Sequence, residues 1–150
     1  MQGSTNVIEI AASVEDVARV LRDPTTYPDW LVGAQTIRSI DENWPAIGSK
    51  FHHRIGVGPL TVPGSTSVLK NGPDQLELGA GIGPFGEARV RFTWESVHGA
   101  TRLTLEEEPR RGIARHAWKL LRSLVNLGLW GRNEASLASL RDAVIDRTSK

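Results

Sequence analysis

Histidines, a run of glutamates, a glycine-rich turn and a cluster of arginines are the residues of this 150-residue chain whose types could do chemistry. His52 and His53 are adjacent in a stretch that alternates like a strand, so their side chains leave opposite faces and cannot readily share one ion. His98 falls in a turn and His116 on a helical pattern, with no ligand spacing between them. The sequence therefore predicts no metal site and no cofactor. On the parity of Phe51, His53 and Ile55, His53 shares an apolar face. There it is either the polar group inside a cavity or a core histidine bonded to a neighbour. Glu106 and Glu108 share a strand face, but it is the one opposite Leu103 and Leu105, so an acid–base pair there points away from the buried side. No serine sits in a nucleophile-elbow pattern, and the absence of cysteine excludes a thiol nucleophile, a disulfide and a cysteine metal site. No catalytic residue is predicted.

Two further patterns invite a partner. Gly81-Ile82-Gly83-Pro84-Phe85-Gly86 fits G-x-G-x-x-G, but that fingerprint needs a helix directly after the glycines, and Glu87–Trp94 alternates as a strand. Nucleotide binding is set aside, and the segment reads as a hairpin turn. Arg110, Arg111, Arg115, Lys119 and Arg122 form a basic cluster, of which Arg115, Lys119 and Arg122 share one helical face. It reads as a solvated face or as a transient membrane-surface contact beside Trp118, Leu121 and Leu124. The aromatic interleaving of a base-stacking surface is missing, and 18 basic against 17 acidic residues give a net charge of only +1, so no nucleic-acid partner is expected.

The elements that position these residues follow from periodicity. Asn6–Ile10 alternates as a strand with Ile8 and Ile10 buried. Ser13 caps a short helix carrying Val14, Val17, Ala18 and Leu21, which ends at Asp23-Pro24. Tyr27-Pro28-Asp29-Trp30 forms a second short helix or turn. Period-two runs follow at Thr36–Asp41, Lys50–Ile55, Leu60–Lys70, Gln75–Ala80, Glu87–Trp94 and Thr101–Glu108, each break bearing a turn residue, which makes seven antiparallel strands in all. Pro63-Gly64 should mark a bulge, a bend or an edge. Ala88, Val90, Phe92 and Trp94 share one face of their strand, so the sheet has one buried side. Only the proline-free stretch Ile113–Arg147, helical in period, is large enough to cover it. The reading is an α+β chain forming one domain over 1–150. No leader or membrane-spanning run is apparent, and a cytoplasmic location is expected.

The order of these pieces resembles a known family. A strand, the Ser13–Val17 helix start, Asp23-Pro24, the Tyr27-Pro28-x-Trp30 turn, Pro45-x-x-Gly48, Gly99-x-Thr101-x-Leu103 and Arg132-Asn133 before Leu137-x-x-Leu140 are similar to the START-like (SRPBCC) superfamily, in its polyketide cyclase/dehydrase-like branch. The resemblance spans the whole chain. It implies a helix-grip fold, a curved sheet wrapped around a long C-terminal helix with a hydrophobic cavity between them. It implies a small hydrophobic or amphipathic ligand such as a lipid, polyketide or quinone. Alternatives are a cyclase/dehydratase-type enzyme using the same cavity with His53 as proton carrier, and a protein-interaction module of the co-chaperone or antitoxin-like kind. Trp30 falls at the family's mouth turn, Trp94 at an inward strand position and Trp130 at a break in the helix. The expected ligand-binding residues are Trp30, His53, Val90, Phe92, Trp94, Trp130, Asn133 and Leu137. Monomer and homodimer both remain open.

One continuous helix over those 35 C-terminal residues would run roughly 50 Å, against on the order of 40 Å for a domain this size. Gly128 and Gly131 are the easiest places to bend it. The expectation is a basic amphipathic segment over about 112–127, a candidate lid, followed by a gripped helix over about 132–147.

Overall fold

In a computed structural model of the chain, residues 3–31, 34–57, 59–81, 86–111 and 122–148 are described, without the side chains of 55–57, 111 and 122–130. The elements are β1 (Ser4–Ile10), α1 (Val14–Leu21), a 3-10 turn (Pro24–Thr26), α2 (Tyr27–Trp30), β2 (Ala34–Ile40), β3 (Lys50–Val57), β4 (Leu60–Gly72), β5 (Gln75–Gly81), β6 (Glu87–Val97), β7 (Ala100–Arg111) and α3 (Arg122–Thr148). The seven strands form one antiparallel sheet in the order β1-β7-β6-β5-β4-β3-β2. Consecutive strands thus pair as hairpins except β1 and β2, which occupy opposite edges and are joined by α1, the turn and α2.

Local chemistry accounts for the joints. The Ser13 hydroxyl accepts from the Asp16 amide at 3.1 Å and caps α1. Asp23 caps the following turn through the Thr25 amide. His98 and Gly99 both adopt positive φ, 51° and 83°, between the paired Val97 and Ala100. That is the two-residue turn whose twist suits a hairpin. Register shifts in the β2–β3, β4–β5 and β6–β7 pairings bend the sheet. Pro63 lies in regular register with Arg54, so the β3–β4 pairing has no bulge there, and the register shift on β4 falls near Leu69.

The concave face carries Ile10, Phe51, Val68, Leu76, Leu78, Phe92, Trp94, Leu103 and Leu105, all buried. On α3, Asn133, Ser136, Leu137, Leu140, Ala143 and Val144 are buried at three- and four-residue steps, the stripe that meets β1, α1 and α2. The convex face is charged: Glu77, only 2% exposed, lies beneath Lys70, Arg89 and Arg91 at 3.9, 3.6 and 3.4 Å.

The expected break in the C-terminal helix does not occur. α3 runs uninterrupted through Gly128 and Gly131 for 27 residues, about 40 Å at 1.5 Å per residue. That length already fits the domain, so no bend is required by size. A glycine weakens a helix by only about 1 kcal/mol, and without a residue in the left-handed conformation and a cap it does not end one. The proposed lid over about 112–127 lies largely outside the described residues. Among the described residues, no helix is long and apolar enough to cross a membrane.

Candidate functional site

The register shows where the sheet leaves room. Across β4, β5 and β6 one concave row reads Thr66, Ala80, Ala88, small side chains throughout. The next row reads Val68, Leu78, Val90, Glu107, Ser4, and the one after it Leu76, Phe92, Leu105, Asn6. A fourth closes with Trp94, Leu103 and Ile8. Side-chain volume therefore rises from one end of the strands to the other. At the small end a cavity of about 110 Å³ remains. Its walls come from every layer: Tyr27, Trp30 and Leu31 around α2, Ala34 and Ile37 of β2, Phe51 and His53 of β3, the first row with Leu78, Val90, Glu107, Phe92 and Leu105 of the next two, and Arg132 and Asn133 of α3.

Most of the wall is apolar, and several of its polar atoms are already engaged. The Tyr27 hydroxyl donates to the Leu21 carbonyl, and burial pushes its pKa up. Trp30 Nε1 donates to Thr26 Oγ1 at 3.0 Å. Arg132 pairs with Glu107, a carboxylate only 4% exposed, and also donates to Asn133 Oδ1 at 3.2 Å. Asn133 Nδ2 in turn donates to Ser4 Oγ at 3.1 Å, and Asn6 Nδ2 to Glu134 Oε1 at 2.8 Å. This network ties α3 to β1 and β7 at the polar end of the cavity.

His53 is 5% exposed, and its Nε2 shares a 2.9 Å hydrogen bond with Thr66 Oγ1, whose direction follows the imidazole tautomer. Its Nδ1 is buried with no partner among the described residues. Both sequence alternatives therefore hold at once: the histidine is bonded to a neighbour and it lines the cavity. Burial, with a smaller contribution from His52, lowers its pKa to about 4 from the usual 6.5. Between these values the unfolded chain binds a proton that the folded chain refuses, so stability falls as pH drops from about 6.5 to 4 and levels off below. At pH 5 the loss from this residue is about 2 kcal/mol. Urea unfolding of wild type and His53→Gln at pH 7 and pH 5 checks this; the variant should lose about that much less, and parallel losses would contradict it.

Of the residues expected from sequence, Trp30, His53, Val90, Phe92 and Asn133 line the cavity. Trp94 and Leu137 do not. Trp94 faces the concave side as its parity requires, but it lies two positions beyond Phe92 at the filled end, with the Arg22 guanidinium 5.3 Å above its ring. Leu137 is one turn past Asn133 and buried in the core. The side chain of Trp130 lies outside the described residues. Glu106 and Glu108 do turn outward, toward Arg91 and Arg89. Glu107 and Arg132 were missed as cavity residues. The signal was present, because Glu107 has the parity of Leu103 and Leu105.

The other patterns resolve simply. β6 opens at Glu87, so a strand follows the glycine-rich turn, whose residues 82–85 lie outside the described set. In the basic cluster, Arg110 approaches Glu87 at 3.6 Å, while Arg115, Lys119 and the side chains of Arg111 and Arg122 lie outside the described residues. Among the described residues, no group of three His, Cys, Asp or Glu could hold a metal ion.

Comparison with known proteins gives a consistent picture. Residues 1–144 match a family model described as polyketide cyclase / dehydrase and lipid transport. Among solved structures, protein CV1439 from Chromobacterium violaceum superposes with a TM-score of 0.70 at 14% identity, covering 94% of this chain and 97% of that one. The di-domain ARO/CYC StfQ from the steffimycin biosynthetic pathway gives 0.73 at 11% identity, covering 97% of this chain and 51% of that one. The Zhui aromatase/cyclase from Streptomyces sp. R1128 gives 0.67 at 13% identity, covering 96% and 93%. At these identities the structures establish the fold alone. A comparison with curated proteins finds no match.

Proposed function

The chain belongs to the polyketide cyclase/dehydrase and lipid transport family and has its helix-grip fold, and from that premise we propose that it binds a small, largely apolar molecule in the cavity between sheet and α3. The observation that carries this reading is the row Thr66, Ala80, Ala88, where the sheet withholds side-chain volume beneath a roof of large aromatics. Binding energy comes from apolar burial at roughly 25 cal/mol per Å², and the few polar groups set orientation. In this reading Trp30, Val90 and Phe92 supply apolar wall, and His53 and Asn133 stand at its polar points. His53 acts as a hydrogen-bonding group, since an imidazole with a pKa near 4 is a poor base near neutral pH.

Melting curves against lipids, polyketides and quinones test the proposal. A ligand at a hundred times its Kd adds about 2.7 kcal/mol, and at about 2–4 °C per kcal/mol for this size the melting temperature should rise roughly 5–10 °C. Ala80→Leu, which fills the small row, should abolish the rise. No rise with any of the three classes would overturn the reading.

A further inference from the structure

We infer that the cavity selects an uncharged ligand bearing a hydroxyl that hydrogen-bonds His53 Nδ1. The inference rests on the cavity reading above and names the chemistry of its occupant. It follows from an account of the polar side-chain atoms that the described walls contain. Tyr27 and Trp30 spend their polar atoms on Leu21 and Thr26, away from the cavity. Asn133 spends its amide on Ser4 and Arg132. Thr66 is engaged with His53.

Among the described residues, the one cation and the one carboxylate on the wall, Arg132 and Glu107, face each other. Arg132 Nη2 is held by Glu107, so an anionic ligand that meets the remaining donors of the guanidinium finds a charge already neutralised and a carboxylate, 4% exposed, that repels it. A cationic ligand meets the mirror-image problem, because Glu107 is already held. Neither ion finds a compensating charge for the water it gives up. An uncharged molecule avoids that cost.

Two fully buried side-chain atoms of the wall have no partner among the described residues, His53 Nδ1 and Arg132 Nε, and the second belongs to the guanidinium already paired with Glu107. The tautomer of His53 decides what Nδ1 offers. If Nε2 donates to Thr66, Nδ1 is an acceptor; if Thr66 donates to Nε2, Nδ1 carries the proton and donates. A hydroxyl satisfies either case, whereas a ketone satisfies only the second. Phenolic and enolic molecules of one or two rings have this chemistry, with an apolar body for the walls of Trp30, Phe92 and Val90.

Calorimetry on the full chain at pH 7 with 2-naphthol and 2-naphthoate tests the inference on one ring system, neutral in the first probe and anionic in the second. Naphthol should bind at least tenfold more tightly, and its binding should move the nitrogen chemical shift of the His53 imidazole. Naphthoate binding equally or more tightly would overturn the charge selection while leaving the cavity reading intact. Naphthol binding with the His53 nitrogen unmoved would overturn the hydrogen bond. Binding of neither probe would overturn the inference, and, joined to flat melting curves with lipids, polyketides and quinones, the cavity reading as well.

Discussion

Arg132→Met should lower the free energy of unfolding by about 3 kcal/mol, because removing one partner of a buried ion pair leaves the other charge uncompensated. Glu107 is the charge at risk: it is 4% exposed and sits on the concave face between Val90 and Ser4 in register. The Arg132 side chain is 36% exposed, which places the loss toward the lower end of the usual 3–5 kcal/mol range. The substitution also removes the bond to Asn133 Oδ1 and so loosens the tie between α3 and β1. Glu107→Leu combined with Arg132→Met separates the two contributions. Since apolar replacement of a whole buried pair is often neutral, the double variant should recover most of the loss in urea unfolding. A double variant less stable than Arg132→Met alone would show that the pair itself, rather than the stranded carboxylate, carries the energy.

Truncating Trp30 to alanine should cost about 3–5 kcal/mol, as for other buried large aromatics. The indole is 2% exposed and meets Tyr27 and Phe92 edge-on, with centroids 4.8 and 6.2 Å away. Its Nε1 also ties α2 to Thr26 at 3.0 Å. Because Trp30 is both roof and wall, the change enlarges the cavity while releasing the α2 corner from the sheet. At about 2–4 °C per kcal/mol the melting temperature should fall by roughly 10 °C. A loss below about 1 kcal/mol would mean that this corner contributes little to the core.

How much of this was legible in the sequence depends on which coordinate a pattern encodes. Period-two alternation encodes which side of the sheet a residue faces, and it placed Val90, Phe92 and Trp94 on the concave side together. It does not encode distance along the strand from the small row, which separates Trp94 from the cavity. That position depends on cross-strand register, and Thr66, Ala80 and Ala88 become neighbours only once β4, β5 and β6 are paired. The same limit applies to Leu137, whose helical face is right and whose depth is not. Glu107 was hidden differently. Inside Glu106-Glu107-Glu108 its parity was plain, but its cation lies 25 positions away on another element. The helix break failed because glycine lowers helix propensity without specifying a stop, and the stripe from Asn133 to Val144 anchors the helix on the sheet and on α1 and α2.

Native mass spectrometry of gently purified protein tests the central claim most directly, because it asks whether the cavity is occupied without presuming by what. The account predicts a non-covalent small-molecule adduct in wild type, shed on denaturation and missing from Ala80→Leu. An adduct retained in full by Ala80→Leu, or wild-type protein that carries none and gains none after incubation with lipids, polyketides or quinones, would contradict it.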